Sequence, residues 1–565
     1  MFSSSNEERT FDAIVIGSGA SGGWAAKELC DHGLKTLVLE RGRDVQHIKD
    51  YPTASKGPWE FEFRGAVPIE KRSGLTGAGR WAREETLHWA LQEDEQPFIQ
   101  EKPFRWFRGY HTGGKSLLWA RQTQRWSDYD FEGPARDGFA IDWPIRYKDI
   151  EPWYKHVELF AGIAGDKDGL PELPDSEVQP GFEMSCVEAY FKEVLQKHYK
   201  NRHLIKARCA HITDPQEIHR QQGRSKCQNQ TMCNRGCVFG GYFSSNASTL
   251  PWAAKTGNMT LRPHAVVHSI IYDEEKGKAS GVRIIDAASK EMIEYYAKVI
   301  FVNASTLNSN AILLNSTSNR FPNGLGNDNG LLGKYISWHN YRGKANAQFE
   351  GFQDKKADGR NPSNAYIPRF RNVLKQETDF LRGYAVGVAA GRSLSSDTSL
   401  IGDALRESLL HPERKLWHVS TWMMGECVPE EQNHIRLHPE LKDKYGIPQI
   451  ILSCEWSDND VKMAKDYVEQ MTEMFEKAGF INIDAKDTES LPGSDIHEMG
   501  GVRMGHDPKT SLLNKWNQMH HCPNVFVTDG ACMTSTGTQN PTLTFMAITA
   551  RAANYAVAAL KKGDL

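Results

Sequence analysis

The sequence lacks an excess of either charge. Its 565 residues include 68 basic and 71 acidic side chains, which gives a formal net charge of −3. Nucleic acids and anionic membranes are bound through clustered positive charge, so neither partner is expected. Uninterrupted apolar runs of membrane-spanning length are also missing, because the longest one near the end, 547–560, contains Arg551. We expect no membrane span.

Cysteine is sparse as well, with ten residues in the whole chain, which excludes a scaffold built on disulfides. Residues 1–11 are polar and acidic and pass directly into an apolar run, so no signal peptide is expected. The chain is then expected to be periplasmic through export with a partner, or else cytoplasmic. What is present, 39% hydrophobic residues and 48 glycines, is typical of a folded protein, and the length predicts two domains.

A βαβ unit is predicted at the N-terminus from four consecutive pieces of sequence: an apolar run at 11–16, the turn Gly17-Ser-Gly-Ala-Ser-Gly22, a helical stretch at 23–32 and a second apolar run at 36–39. In such a unit Gly17 permits the tight turn, Gly19 lets the backbone approach a pyrophosphate, and Gly22 lets helix and strand pack. Glu40 ends the second strand and is placed to bind a ribose hydroxyl, which favours FAD or NAD over NADP. A glycine-rich turn without a ligand is the alternative.

Further segments resemble the glucose-methanol-choline oxidoreductase family. They are Ile496-His-Glu-Met-Gly-Gly-Val-Arg-Met-Gly505, Val525-Phe-Val-Thr-Asp-Gly530, Gly537-Thr-Gln-Asn-Pro-Thr-Leu-Thr-Phe545, Gly113-Gly-Lys-Ser-Leu-Leu-Trp119 and Val302-Asn-Ala-Ser-Thr-Leu-Asn-Ser309, the last followed by an apolar helix. The resemblance implies an FAD-dependent enzyme that oxidises a CH–OH group. It also decides for FAD over NAD.

The fold class that the resemblance implies is α/β (α+β), with a discontinuous Rossmann-like FAD-binding domain and an inserted, sheet-based substrate domain. The FAD-binding domain is expected at 1–46, 104–130, 200–330 and 491–565, and the substrate domain at 47–103, 131–199 and 331–490. The patterns at 416–424, 434–437 and 449–452 predict strands of the second domain.

Alcohol oxidation requires a base for the hydroxyl proton, and a neutral imidazole suits that task. By the family resemblance His497 occupies the base position, and Asn540 falls where the family carries His or Asn. Because an amide does not accept a proton, Asn540 is expected to fix the substrate oxygen. The alternatives without a catalytic role are a structural histidine at position 497, and a helix N-cap at Asn540 with Pro541 at the first helical position.

The resemblance implies a larger set of FAD-contacting residues: Gly17, Gly19, Ser21, Gly22, Glu40, Arg41, Gly113, Gly114, Ser116, Val267, Asp529, Gly530, Asn540 and Thr542. Pyranose oxidases of this family attach the flavin to a His just before the Trp of the Gly-Gly motif. This chain has Leu118 before Trp119, so the FAD is predicted to be non-covalent.

A second feature is the C-x5-C-x3-C run of Cys227, Cys233 and Cys237 in a polar loop. Unused thiols, zinc and an iron-sulfur cluster remain open. Zinc needs a fourth ligand, such as Cys209 or His211, whereas a 3Fe-4S cluster has three iron corners for three thiolates. The remaining cysteines, Cys30 and Cys532 among them, are expected to pack in the interior.

The cysteine spacing resembles that of flavin-dependent glucose, fructose and glucoside dehydrogenase subunits. This implies a 3Fe-4S cluster that passes electrons to a cytochrome c or other acceptor, and a small partner subunit that carries the export signal. Resemblance to glucoside 3-dehydrogenases at 22–29 favours oxidation of a ring hydroxyl, at C3, of a sugar or glycoside. The alternatives are an oxygen-using pyranose or C-glycoside oxidase without a cluster, and a flavin-binding protein without turnover.

Overall fold

A computed structural model describes residues 8–75, 83–230, 232–355, 362, 364–395, 397, 399–411 and 413–565. Thr231 of the predicted cysteine loop, and 76–82 and 356–361 of the predicted substrate domain, lie outside the described residues. The helices are α1 (Ala20–Asp31), α2 (Ile69–Arg72), α3 (Asp128–Phe131), α4 (Gly133–Asp137), α5 (Tyr147–Ala161), α6 (Cys186–His198), α7 (Glu217–Gln221), α8 (Thr249–Lys255), α9 (Thr306–Asn315), α10 (Gly402–Leu410), α11 (Asp458–Lys477) and α12 (Thr542–Lys562).

The strands are two to eleven residues long and lie along the whole described chain. They are β1 (Thr10–Ile16), β2 (Thr36–Leu39), β3 (Phe98–Gln100), β4 (Ala164–Gly165), β5 (Gln179–Pro180), β6 (Ile205–Lys206), β7 (Met259–Arg262), β8 (Ala265–Asp273), β9 (Lys278–Asp286), β10 (Met292–Val302), β11 (His339–Asn340), β12 (Gly343–Phe349), β13 (Ala365–Ile367), β14 (Tyr384–Gly391), β15 (Leu394–Ser395), β16 (Glu413–Arg414), β17 (Trp417–Glu426), β18 (His434–Lys442), β19 (Pro448–Ser453), β20 (Ile481–Asp487) and β21 (Val525–Val527).

The first sheet has the order β7-β2-β1-β10-β9-β8, with β21 paired to the far end of β10. The β7, β2, β1, β10 and β21 pairs are parallel, and β8 to β10 continue as an antiparallel meander. Ile14, Val15 and Ile16 of β1 are buried on both faces of the sheet, as expected for a parallel strand covered by helices. The predicted βαβ unit is therefore present as β1-α1-β2 in a dinucleotide-binding type of sheet.

The second sheet is antiparallel in the order β20-β12-β17-β14-β13-β6, and β11 pairs with the end of β17. Helix α11 and helix α6 supply the apolar side chains of its separate core. Strands β18 and β19, which correspond to the predicted strands at 434–437 and 449–452, form a third sheet with β3. The mixed α/β architecture with a sheet-based second unit is the predicted fold class.

Two local details differ from the expectation. The first helix begins at Ala20 rather than at 23, and the helix expected after Ser309 begins at Thr306. Strand β6 lies inside the segment 200–330 assigned to the FAD-binding domain, yet it pairs with β13 of the second sheet. The domain boundaries stay a prediction.

Helix α12 is the single helix among the described residues that is long and apolar enough to cross a membrane by length and composition. Within the fold, 72% of its apolar window is buried. It packs against α1 and α5. The apolar character of α12 is therefore accounted for by its position in the core.

Candidate active site

A cavity of about 250 Å3 lies against the carboxyl ends of β1 and β2, at the edge of the first sheet where dinucleotides bind in this type of fold. Most of the predicted cofactor residues line it: Gly17, Gly19, Ser21, Glu40, Arg41, Gly114, Ser116, Val267, Asp529, Gly530, Asn540 and Thr542. Gly22 and Gly113 do not line it. Segments that are far apart in sequence therefore line the same cavity.

The glycines of the N-terminal turn differ in what surrounds them. Gly17 has φ +98°, and an added Cβ would lie 2.3 Å from the Asn303 carbonyl oxygen. An added Cβ at Gly22 would lie 1.8 Å from the Gly17 carbonyl oxygen, so Gly22 serves close packing. An added Cβ at Gly19 meets nothing within 4 Å. The backbone at Gly19 therefore faces open cavity at the start of α1, where a pyrophosphate fits.

The Gly113–Ser116 turn brings Gly114 and Ser116 to the cavity. Gly113 has φ +82°, and its added Cβ would meet the Asn246 amide oxygen at 1.7 Å, which places Gly113 one layer behind the cavity wall. The Ser116 hydroxyl donates to the Gly113 carbonyl (2.6 Å) and accepts from the Ser245 N–H (3.0 Å). This hydroxyl thus holds the turn together.

Two buried carboxyl groups lie on the cavity wall. Glu40 accepts from the Gly42 N–H (2.9 Å) and is bonded to the Ser18 hydroxyl, and burial raises its pKa. Asp529 accepts from the Ser309 hydroxyl (2.6 Å), and burial raises the pKa of Asp529 to about 6. Such acceptors suit the hydroxyl groups of a nucleotide better than a further phosphate, which agrees with FAD over NADP.

His497 and Asn540 meet at the same cavity although they come from separate segments. The Asn540 amide nitrogen lies 3.4 Å from His497 Nε2. The His497 side chain is 14% exposed, and Asn540 is buried. The Asn540 amide oxygen is buried and has no partner among the described residues, so it is available to a ligand donor.

Asn540 is not the N-cap of the following helix. Helix α12 begins at Thr542, the cap position is Pro541, and no side chain caps the helix. The alternative interpretation of Asn540 as a capping residue is therefore wrong, because the chain turns into the helix one residue later. Its amide is directed to His497 instead.

Behind His497 lies a second histidine that the sequence did not indicate. His339 Nδ1 is 2.9 Å from His497 Nδ1, and the two rings are nearly perpendicular. The Asp495 carboxylate accepts from the His339 backbone N–H (2.8 Å). Burial raises the pKa of Asp495 to about 7 and lowers that of His339 to about 4. Both ring and carboxyl are thus held away from water.

The backbone between Asp495 and His497 is strained. Ile496 has φ +68°, a conformation that β-branched residues rarely adopt. The turn lets Asp495 point toward His339 while His497 reaches the cavity. Strain of this kind persists where the surrounding structure holds a functional arrangement.

The ligand atoms of His339, Asp495 and His497 lie within 4.8 Å of one another. Two nitrogens bound to one tetrahedral zinc are roughly 3.3 Å apart, given Zn–N bonds of 2.0–2.1 Å. The 2.9 Å between the two Nδ1 atoms is shorter and corresponds to a hydrogen bond. This cluster is therefore a hydrogen-bonded pair with an adjoining carboxyl group.

The cysteine loop surrounds a second, smaller cavity of about 40 Å3. Cys227, Cys233 and Cys237 all line it, together with His211. The three cysteines are half-buried. Cys233 Sγ lies 3.9 Å from His211 Nε2, and Cys209 does not line this cavity. The loop therefore brings the three predicted thiols to one place.

The three thiols line one cavity without being drawn together as the ligands of a single ion. Within the described ranges, no trio of His, Cys, Asp or Glu other than the His497 cluster brings its ligand atoms within 4.8 Å of one another. Thiolates on one tetrahedral zinc would be roughly 3.8 Å apart, given Zn–S bonds of 2.3 Å. A 3Fe-4S cluster has three iron corners for three thiolates, and three is the number of cysteines in this loop.

The other cysteines behave differently. Cys30 and Cys532 are fully buried, and burial raises the pKa of both thiols, that of Cys30 to about 11. They pack in two separate parts of the apolar interior.

Sequence reasoning missed further residues at the main cavity. Glu498, next to His497, pairs with Lys115 at 3.1 Å, and both side chains line the cavity. His339 lies 158 positions before His497, and no spacing rule relates it to that motif. Asp495 could have been found from the sequence, since it is an acidic residue two positions before the predicted base.

Comparison with known proteins agrees with this arrangement. Two family models, both described as GMC oxidoreductase, match residues 12–339 and 429–549. A 2-methyl-1,2-propanediol dehydrogenase of Mycolicibacterium austroafricanum is 29% identical over 96% of this chain and 94% of its own length. A fructose dehydrogenase large subunit of Gluconobacter japonicus is 25% identical over 99% of this chain and 100% of its own length.

Among solved structures, formate oxidase of Aspergillus oryzae RIB40 has the same fold, with a TM-score of 0.61 at 12% identity over 99% of this chain and 100% of that one. The family models together cover most of the sequence, including the glycine turn and the segment with His497 and Asn540. The chain therefore belongs to the GMC oxidoreductase family, and it is an FAD-dependent enzyme that oxidises a hydroxyl-bearing carbon.

Proposed function

We propose that this enzyme is a dehydrogenase that oxidises a secondary ring hydroxyl, at C3, of a sugar or glycoside to a ketone. The observation that carries this proposal is the facing of His497 Nε2 and the Asn540 amide across 3.4 Å at the cavity that also holds the dinucleotide turn. A substrate oxygen in the cavity, within hydrogen-bond reach of both side chains, would have a base and a hydrogen-bond donor at once.

In this arrangement His497 accepts the hydroxyl proton at Nε2 while the amide of Asn540 holds the oxygen. FAD, when bound, supplies the acceptor for the hydride that leaves the same carbon. Gly17, Gly19 and Glu40 are placed to hold the cofactor, and Leu118 offers no nucleophile for a covalent link, which supports non-covalent binding.

We assign a 3Fe-4S cluster to Cys227, Cys233 and Cys237. Support comes from their shared cavity and from their number, which matches the three iron corners of such a cluster. When bound, such a cluster supplies a one-electron relay to an external acceptor such as a cytochrome c. One relative is named as a large subunit, which supports a smaller partner subunit for this chain, and with it export to the periplasm. A cytoplasmic enzyme is the alternative.

The choice of a sugar rests on two features. A fructose dehydrogenase subunit is among the relatives, and residues 22–29 resemble glucoside 3-dehydrogenases. The experiment is anaerobic mixing of the purified enzyme with methyl glucosides, glucose and fructose, followed by NMR of the product. A 3-keto glycoside is expected. A product oxidised at another carbon would contradict the C3 assignment. Reduction of the flavin by small diols, and by none of the sugars, would contradict a sugar substrate.

A second experiment tests the cluster and the route of the electrons. Iron, acid-labile sulfide and released flavin are measured on anaerobically purified protein, with its paramagnetic-resonance spectrum. About three irons per chain beside FAD are expected for a 3Fe-4S centre. FAD without iron, together with rapid reoxidation by air, would instead identify an oxygen-using oxidase. FAD that no alcohol reduces would identify a binding protein without turnover.

A further inference from the structure

The His339–His497 contact determines which ring nitrogen of His497 carries a proton. His339 Nε2 lies 3.2 Å from the Thr536 carbonyl oxygen, which only accepts hydrogen bonds. His339 Nε2 must therefore carry a hydrogen. Burial lowers the pKa of His339 to about 4, so the ring is neutral at physiological pH and its Nδ1 has no hydrogen.

The consequence passes on to His497. Its Nδ1 lies 2.9 Å from the bare Nδ1 of His339, and a hydrogen bond between them requires a hydrogen on His497 Nδ1. The neutral His497 ring then carries no hydrogen on Nε2, the nitrogen that faces the Asn540 amide. The atom at the cavity is left as the proton acceptor.

We propose that His339 is a positioning residue that fixes the tautomer and orientation of His497, so that Nε2 is the nitrogen that accepts the substrate proton. This inference rests on the proposed function of His497 as the base. The chain of contacts runs from the Thr536 carbonyl through His339 to His497, and the Asp495 carboxylate anchors His339 by its backbone N–H. When His497 takes up the proton, the bond from its Nδ1 to His339 stays in place and stabilises the imidazolium.

Other charged or titratable groups face this pair and bear on its pH dependence. Asp495 Oδ2 lies 3.7 Å from His497 Nδ1, and Glu426, opposite His339 on β17, is paired with two buried arginines. Among the described residues these groups include Lys115, Arg369, Arg382, Glu426, Cys427, Asp495 and Glu498. Of these, Asp495 has a pKa raised by burial to about 7, which lies inside the range from pH 5 to 9 over which the rate is measured.

The test compares His339→Asn with His339→Leu. An asparagine oxygen accepts from His497 Nδ1 in place of the imidazole nitrogen, whereas leucine fills the space without an acceptor. Trp338→Phe, a change at the neighbouring buried residue of the same segment, is the control for packing. Asp495→Asn removes the second titration near pH 7, so that the remaining pKa in the rate profile belongs to His497.

Two measurements are made on each variant. Ring nitrogens of 15N-histidine-labelled protein are assigned by subtraction of the His497→Ala spectrum, which reports the tautomer without turnover. Anaerobic flavin reduction by substrate is followed from pH 5 to 9. In His339→Leu we expect mixed tautomers, a rate lowered by about tenfold or more at nearly unchanged KM, and a rate pKa shifted to lower pH because the imidazolium has lost its acceptor. His339→Asn is expected to restore most of the rate.

The inference is overturned if the His497 Nε2 signal is that of a protonated nitrogen in the unaltered enzyme. It is also overturned if His339→Leu keeps the original pH profile and loses only as much melting temperature as Trp338→Phe. Failure of the proposed function would look different, since His497→Ala would then leave flavin reduction near normal while the nitrogen spectrum still decided the tautomer.

Discussion

The two candidate redox regions of this molecule are built in opposite ways. The His497 region is formed by side chains from several distant segments, with the buried His339 and Asn540 both in contact with His497. The cysteine loop is a single stretch of eleven positions around a cavity of about 40 Å3, and its three thiols remain half-buried. The first region depends on contacts between distant parts of the fold, whereas the second is local in sequence.

This difference has a chemical reason. A base that must accept a proton from a bound alcohol is most effective when its orientation is fixed before the substrate arrives. A set of thiolates gains its order from the metal, because metal binding and local folding are coupled. Mutations in the two regions should therefore separate flavin reduction from electron delivery.

The largest effect is expected from His497→Ala. Loss of a general base lowers rates by about 10²–10⁴, so flavin reduction by substrate should fall by roughly 10³. FAD content should remain normal because the glycine turn is untouched. Stopped-flow reduction under anaerobic conditions measures the rate, and His506→Ala, an exposed histidine nine positions later, is the control. A near-normal reductive rate in His497→Ala would rule out the base role.

Cys233→Ser should show the reverse pattern. Without the thiolate the cluster is incomplete, so turnover with an external one-electron acceptor is expected to fall by at least about tenfold while the flavin is still reduced by substrate. Iron content and acceptor reduction are measured together. Cys186→Ser, a half-buried cysteine outside both cavities, is the matched control. Equal loss of both half-reactions would indicate a structural role for the loop.

A smaller effect is expected within the FAD-binding turn, where two glycines can be set against each other. Gly19→Ala places a methyl group into open cavity at φ −66°, so the apoprotein should fold while FAD affinity falls by about tenfold or more through a 1–3 kcal/mol loss of backbone contacts. Gly22→Ala meets the Gly17 carbonyl oxygen at 1.8 Å and should destabilise the apoprotein as well. Apoprotein melting and FAD titration distinguish the two. Equal FAD affinity in Gly19→Ala and the unaltered chain would place the pyrophosphate elsewhere.

The sequence was informative where a local pattern encodes geometry. The βαβ unit followed from alternating apolar runs and three glycines, and the family resemblance led to His497 and Asn540. His339 could not be predicted, because its proximity to His497 depends on how β11 pairs with β17 in another part of the fold. The packing of Gly113 against Asn246 and the pairing of β6 with β13 could not be predicted for the same reason, since both are contacts between distant segments.

The smallest effect concerns a cysteine that is expected only to pack. Cys30 lies in α1 and is 1% exposed, in an apolar cluster with Leu29 and Val38. Cys30→Ala removes one sulfur atom from this core and should lower the free energy of unfolding by about 1 kcal/mol, close to the value of a buried methylene group. Iron, sulfide and flavin content should not change, whereas Cys237→Ala should lose iron at little cost in stability of the metal-free chain. Chemical denaturation and metal analysis on the same samples make the comparison. If Cys30→Ala also lost iron, loss of iron would no longer identify the cysteines that bind the cluster. The comparison of the two regions would then fail.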